Sequence, residues 1–197
     1  MKHVGDSVAI CKLSIPKDFY FKPGQYILVA AKDSKGRKIS RNYSISSPKN
    51  NDFIELCVKK VEDGPVSNYI YNLKPGDKVE VLGPAGKFFI NETPKDKHLC
   101  FVCNGTGIGP FVPMIHELLE RNFKGRIILI KGFRNEEEIL YEQEFNLLKK
   151  RFSNFRHYNI LSQPNESREM QGYVQDFLER LDVLNKSYHF YICGLTG

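Results

Sequence analysis

The pattern of apolar and polar positions changes character once along the chain. Up to about residue 92, short runs that alternate or stay apolar are separated by turn residues, and runs at 8–13, 26–31, 52–61 and 78–82 predict strands. Pro23-Gly24 and Pro75-Gly76 mark turns, because proline fixes one central angle and glycine supplies the positive one. Gly64-Pro65-Val66-Ser67 opens one short predicted helix, over 68–73. Several short strands with regular turn signals predict an antiparallel barrel or sandwich. From His98 onwards, strands at 98–103, 126–131, 157–161 and 188–193 are separated by helical patterns at 111–121, 137–150 and 173–181. That order predicts a parallel sheet wrapped by helices, with ligands at the carboxyl ends of its strands. Glu92-Thr93-Pro94-Lys95-Asp96-Lys97 combines proline and charge without an apolar residue and reads as a linker. The expected domains are therefore 1–94 and 95–197.

Composition narrows the class. Of 197 residues, 41% are hydrophobic and 26% charged, as in a globular protein, and no run of about 18 apolar residues predicts a membrane span. The net charge of +6 favours anionic partners such as nucleotides or an acidic protein, but the basic residues are too dispersed to predict nucleic-acid binding. Five cysteines, with no secretory signal behind Met1, predict a reducing, cytoplasmic setting. Cys100 and Cys103 form a Cys-x-x-Cys inside an apolar run, which reads as buried strand cysteines rather than a metal site, and no metal is expected.

The richest chemistry lies in Arg41-Asn42-Tyr43-Ser44-Ile45-Ser46-Ser47-Pro48. On an extended strand Arg41, Tyr43, Ile45 and Ser47 face one way, which places a cation and an aromatic ring side by side. A guanidinium grips phosphate with paired hydrogen bonds, and a tyrosine ring stacks on a flat heterocycle. An amphipathic strand with a surface arginine accounts for the octet alone equally well. Gly64 to Ser67 could offer helix N-terminal amides to phosphate, or could simply turn the chain. Gly105-Thr106-Gly107-Ile108-Gly109-Pro110 follows a strand and precedes a helix, where backbone amides can approach a diphosphate. Cys193-Gly194 closes the last strand and by itself reads as a buried strand cysteine followed by a turn glycine.

Taken in order, these stretches resemble the ferredoxin–NADP reductase-like superfamily: Arg-x-Tyr-Ser preceded by Pro-Gly-Gln-Tyr, Gly-x-x-Ser, Gly-Pro-x-Gly-x-Phe, Gly-Thr-Gly-Ile-x-Pro and Cys-Gly. The resemblance implies a flavin-binding antiparallel β-barrel followed by an α/β nucleotide-binding domain. It implies FAD and NADH or NADPH as cofactors. Arg41 would neutralise flavin phosphate, Tyr43 would stack on the ring and Ser44 would hydrogen-bond beside it. Val58 and Lys59 would contribute backbone contacts, and Gly64, Val66 and Ser67 would hold the diphosphate. Gly105, Thr106, Gly107 and Ile108 would hold the nicotinamide cofactor, with Arg134 and Ser162 towards its adenosine end. Cys193 and Gly194 would stand at the nicotinamide, so that Tyr43, Ser44 and Cys193 are the expected catalytic residues. Gln163 stands where relatives that prefer NADP carry arginine, which leans the reading slightly towards NADH.

The implied activity is hydride transfer from NAD(P)H to FAD, then single-electron delivery to a ferredoxin, a flavodoxin or an associated iron–sulfur domain. The family continues beyond the point matching Gly197, so the chain reads as C-terminally truncated. Three other readings stay open: an electron-transfer subunit resembling a dihydroorotate dehydrogenase partner, a free flavin reductase, and a redox-sensing flavin module without turnover.

Overall fold

The computed structural model describes residues 1–49, 52–90, 98–165, 170–181 and 187–194. The chain divides into two compact units, one of 1–90 with 109–117 and one of 91–108 with 118–197. The linker expected at 92–97 lies outside the described residues.

In the first unit, strands β1 (Lys2–Val4), β2 (Val8–Ser14) and β5 (Phe53–Lys59) form one antiparallel sheet, ordered β1-β2-β5. Strands β3 (Tyr26–Lys32), β4 (Lys38–Ser44) and β6 (Val81–Ala85) form a second, ordered β4-β3-β6. A single bridge between Ile45 and Leu56 links them. Cys11, Phe21, Ile27, Val29, Ile45, Ile54, Leu56 and Val58 are buried together with Val66 and Ile70 of helix α1 (Pro65–Tyr71). The Pro23-Gly24 turn forms as expected, with Gly24 at φ +98° and the Gln25 N–H donating to the Lys22 carbonyl at 3.0 Å.

The second unit holds a five-stranded parallel sheet. Strand β7 (His98–Asn104) leads into a 3₁₀ turn at Gly105–Ile108; helix α2 (Phe111–Glu120) follows in the chain, its residues up to 117 falling in the first unit. Strand β8 (Ile127–Phe133), helix α3 (Glu142–Arg151) and strand β9 (Phe155–Leu161) follow. The short β10 (Met170–Gln171), helix α4 (Val174–Arg180) and β11 (Tyr188–Cys193) complete it. The order is β10-β9-β8-β7-β11. Successive strands β7, β8 and β9 step one way from β7, whereas β11 lies on its other side. The direction of winding therefore reverses between β7 and β11, and in open α/β sheets the crevice at that reversal is where ligands bind.

Three sequence expectations are corrected. The helix expected over 137–150 is two pieces, a 3₁₀ turn at Glu136–Glu138 and α3, separated by Tyr141 in the left-handed region at φ +56°. Leu140, Phe145 and Leu148 are all buried, and Leu147 is 66% exposed. An unbroken helix would align Leu140 with Glu144 and Leu147 instead, so the break lets every large apolar group but one reach the core. The strand expected at 78–82 runs at Val81–Ala85, shifted towards the Gly-Pro pair, with an irregularity in its register between Tyr26 and Leu28. Gly83, Pro84 and Ala85 thus make up the end of that strand. Strands β1 and β10 are too short to stand out in the hydrophobic pattern and were not anticipated.

Candidate functional site

In the first unit the expected flavin residues converge from three elements. Strand β4 is a sheet edge, and its residues Ile39, Arg41 and Tyr43 are register partners of the core-facing Ala31, Val29 and Ile27. Tyr43 is half-buried against that core, and burial pushes its hydroxyl pKa up, with the Arg41 charge opposing. Arg41 is exposed, and its Nη1 donates to the Ser40 carbonyl at 2.9 Å. The rest of its fork has no acceptor among the described residues and is free to meet an anion. The alternation expected through the octet stops where β4 ends, because Ile45, Ser46 and Ser47 are all buried. Ser47 Oγ accepts from the Glu55 N–H at 3.0 Å and the Ser46 N–H donates to the Glu55 carbonyl at 2.8 Å, which fastens the end of the octet to β5. Ser44 is partly exposed.

Val58 is fully buried while Lys59 is exposed, and both lie at the end of β5, past its bridge to Ile45, on an edge of its sheet. Their backbone groups on that edge are what a planar ligand could meet. The Ser67 hydroxyl is already engaged: it donates to the Gly64 carbonyl at 3.0 Å and accepts from the Val61 N–H at 3.2 Å. A diphosphate would therefore find the N–H groups of Val66 and Ser67, since Pro65 has none and the Asn68 N–H bonds to the Gly64 carbonyl at 3.0 Å.

In the second unit the winding reversal brings Gly105, Thr106, Gly107 and Ile108 beside Cys193 and Gly194. A Cβ on Gly107 would lie 2.4 Å from the Cys193 carbonyl oxygen, and one on Gly194 would lie 2.9 Å from the Asn104 nitrogen. Gly194 also sits at φ +152°, which side-chain-bearing residues rarely adopt. The carboxyl ends of β7 and β11 are thus pressed together, backbone on backbone, and the rim they make is open peptide rather than side chain. Thr106 and Gly105 are partly exposed there, and Ile108 is fully buried beneath. Burial pushes the Cys193 thiol pKa up.

Arg134 and Ser162 follow β8 and β9, and lie together. The Ser162 N–H donates to the Phe133 carbonyl at 3.1 Å and the Gln163 N–H to the Arg134 carbonyl at 2.7 Å. Arg134 Nε donates to Gln163 Oε1 at 2.8 Å. The Cys-x-x-Cys does not form a site: Cys100 packs with Val102, Ile130 and Ile160 on the α4 face, and Cys103 has the opposite parity. Burial drives the Cys100 pKa to about 12.

Three features escaped the sequence reading. Asn104 lies between the close-packed glycines of both neighbouring strands, with its Oδ1 2.1 Å from where a Gly132 Cβ would stand. Tyr173 is 65% exposed just after β10, which pairs with the end of β9. The third is a buried charge. Lys131 is fully buried, and its ammonium donates to Glu142 Oε2 at 2.9 Å. Asn159 and Asn146 also donate to the Glu142 carboxylate, at 3.1 and 3.0 Å. Burial raises the Glu142 pKa, but the Lys131 charge and these hydrogen bonds outweigh it and hold the carboxyl below its ordinary value. Burial, then the Lys131 charge, depress the His157 pKa to about 4, with Glu142 opposing. A lysine at an inward-facing position of a strand and polar residues of matching parity on β9 were the available signal.

Two family models divide the chain: the oxidoreductase FAD-binding domain matches residues 1–90 and the oxidoreductase NAD-binding domain residues 101–197. The reductase component DmpP of phenol 2-monooxygenase from Pseudomonas sp. (strain CF600) is 35% identical over 82% of this chain and 45% of its own length. The root isozyme 1 of ferredoxin–NADP reductase from Arabidopsis thaliana is 32% identical over 80% of this chain and 50% of its own. The chain spans about half the length of the curated relatives it matches. Among solved structures, a ferredoxin NADP+ reductase from Neisseria gonorrhoeae with bound FAD and NADP superposes with a TM-score of 0.81, covering 95% of this chain and 79% of that one at 24% identity.

Proposed function

The chain belongs to the ferredoxin–NADP reductase-like superfamily, an FAD-binding half followed by an NAD-binding half, and from that premise we propose that it carries reducing equivalents from NADH or NADPH through FAD to a redox-protein acceptor. The observation that carries the reading is the backbone rim at the winding reversal. Gly107 stands so close to the Cys193 carbonyl that no side chain fits between. Open peptide at that position suits a diphosphate-linked dinucleotide, whose oxygens take backbone N–H groups as donors.

When bound, FAD takes a two-electron hydride and gives electrons up singly, and the protein's part is orientation and electrostatics. Arg41 offers the unpaired part of its guanidinium to flavin phosphate, and the N–H groups of Val66 and Ser67 add donors. Tyr43 presents a ring face held by the core behind it, and Ser44 and the edge of β5 at Val58–Lys59 present hydrogen-bonding groups alongside. Cys193, with its thiol kept protonated by burial, is a compact neutral neighbour for the nicotinamide. Gly194 keeps that place open, while Arg134 and Ser162 serve the adenosine end. The acceptor is a ferredoxin, a flavodoxin or an attached iron–sulfur domain. Five thiols and no disulfide suit a reducing cytoplasmic setting. Among the described residues no helix is long and apolar enough to cross a membrane.

A second reading, an electron-transfer subunit of a larger enzyme, is favoured by the relatives themselves. One is named a reductase component and another, from Pseudomonas putida, an electron transfer component of toluate 1,2-dioxygenase. One experiment tests the shared core of both. Purified protein loaded with FAD is titrated anaerobically with NADH and then NADPH while the flavin absorbance is followed. Bleaching of the bound flavin is expected. Flavin that stays oxidised with both nucleotides, or protein that binds no FAD, overturns the proposal.

A further inference from the structure

The parallel register sets Cys193 of β11 directly against Cys103 of β7. Register partners on adjacent strands project to the same face of the sheet, so the two thiols are lateral neighbours. Neither is in a disulfide. Adjacent strands lie about 4.7–4.9 Å apart, inside the roughly 4.4–6.8 Å between Cα atoms that disulfides span. Cys100, the sequence neighbour of Cys103 in the Cys-x-x-Cys, lies on the other face. Cys11 and Cys57 are in the first unit.

We propose that Cys103 and Cys193 form a reversible dithiol–disulfide pair, a modification site at the rim of the nucleotide-binding half that is oxidised by small disulfides such as glutathione disulfide. Cys193 is the partly exposed member and Cys103 is 2% exposed, so Cys193 reacts first, as the nucleophile. Its thiolate displaces one small thiolate from the oxidant, breaking that S–S bond and forming a mixed disulfide. Cys103, after giving up its proton to solvent, attacks the Cys193 sulfur, forms the protein S–S bond and expels the second small thiolate. Two protein thiols lose two electrons and two protons in total, and the small disulfide becomes two thiols.

The bond closes at a place that can yield. Cys193 is the last residue of β11, and Gly194 behind it has the freedom to follow. Disulfide Cβ atoms lie about 3.5–4.5 Å apart, so the end of β11 moves inward by a few tenths of an ångström. Burial raises the Cys193 pKa, which keeps the thiolate scarce near neutrality and makes the rate climb about tenfold per pH unit below that pKa. The consequence for turnover rests on the proposed function: the disulfide removes the thiol beside the nicotinamide place and pulls on the strand end that Gly107 packs against.

The test exposes the full chain, at pH 8, to glutathione disulfide, then alkylates, digests and maps the peptides by mass. A peptide linking Cys103 to Cys193, lost on treatment with dithiothreitol, is the expected result. Cys103→Ala protein should stop at a glutathione adduct on Cys193. Wild-type protein that carries only that adduct, or a linkage through any other cysteine, overturns the pairing. In FAD-loaded protein the linked form should reduce flavin at least tenfold more slowly with NADH and recover on reduction. An unchanged rate in the linked form overturns the regulatory role. Protein that takes up no FAD defeats the proposed function instead, and the mass map still decides the disulfide.

Discussion

The two halves of this molecule present opposite kinds of surface where cofactor contacts are proposed. The antiparallel half puts side chains forward: Arg41 and Tyr43 stand on the edge strand β4, one exposed and one half-buried, with a complete core behind them. The parallel half offers peptide. At the reversal between β7 and β11, Gly105, Gly107 and Gly194 leave backbone bare, and one ion pair of this half, Lys131 with Glu142, is set inward. A site made of side chains is disarmed by deleting atoms and leaves the fold intact. A site made of backbone is disarmed only by adding atoms, and the fold resists. The inward charges invert this again, since deleting one of them strands its partner.

The largest expected effect strikes that inward charge. Lys131→Met removes the ammonium that Glu142 faces and leaves a carboxylate held by two asparagines. Breaking a buried pair costs about 3–5 kcal/mol. Because Glu142 retains 35% exposure, solvent recovers part of this, and about 2–4 kcal/mol is expected in urea denaturation. The double variant Lys131→Met with Glu142→Leu should regain most of the loss. If the single variant is as stable as wild type, the cluster contributes nothing to the second half. The same cluster sets an acid response. His157 has its pKa depressed to about 4, so the unfolded chain binds its proton first as pH falls from about 6.5. Stability is complete above about pH 6.5 and declines towards pH 4, by at most about 3 kcal/mol from this group. Glu142, also depressed, adds to the decline as pH falls through and below the ordinary carboxylate range. His157→Gln should flatten the upper part of that profile, read as the denaturation midpoint from pH 7 to 4.5.

Next comes the atom added to backbone. Gly107→Ala forces its Cβ against the Cys193 carbonyl at 2.4 Å, so β11 or the turn must shift. A displacement on the order of 1 Å at a reacting centre costs about 100-fold. The expected outcome is a drop of that order in kcat/KM with NADH while FAD occupancy stays unchanged. Equal loss of both would mean that the two halves are not separately addressable.

How far this contrast could be read from the sequence follows from the same chemistry. Local patterns carried most of it. Turn residues placed the Pro23-Gly24 turn, continuous apolar runs placed β7 and β8, and Gly-rich segments between strand and helix placed the rim. What escaped depended on pairing between distant strands. Nothing near Cys103 shows that Cys193 will be its register partner, and nothing near Lys131 shows that Asn159 will stand beside it. Nothing in the sequence shows that the Ser67 hydroxyl closes its own loop onto Val61 and Gly64. The missed break in α3 was a phase error: Leu140 to Phe145 is a step of five, which no single helix face accommodates.

A smaller effect is expected where the site is made of side chains. Arg41→Ala deletes an exposed charge whose Nη1 donates to its neighbour's carbonyl. A hydrogen bond to a charged group is worth about 1.5–3 kcal/mol, so FAD affinity should fall roughly 10- to 100-fold. The unfolding free energy of the flavin-free protein in urea should stay within about 0.5 kcal/mol of wild type, as for surface substitutions generally. Full yellow colour after dialysis of Arg41→Ala would remove Arg41 from the flavin site.

The smallest effect concerns the choice between NADH and NADPH, and it tests whether the second half also contains a side-chain site. Arg134 is exposed, and its Nε is tied to Gln163 Oε1 at 2.8 Å. That bond fixes the guanidinium against the end of β9 and leaves its Nη groups without an acceptor among the described residues. One pinned arginine can meet a ribose hydroxyl or a single phosphate edge, whereas a 2′-phosphate is held best by a fork free to turn towards it. Gln163→Arg replaces the pinning acceptor with a second cation and should move the ratio of kcat/KM for NADPH over NADH upward by about tenfold, about 1.4 kcal/mol. Gln163→Ala frees Arg134 without adding charge and should move the ratio less, in the same direction. The ordering of these two variants separates charge from orientation. If Gln163→Ala moves the ratio as far as Gln163→Arg does, the freed Arg134 is sufficient. If neither moves it, the ends of β8 and β9 take no part in choosing the nucleotide, and the parallel half recognises its ligand through backbone alone.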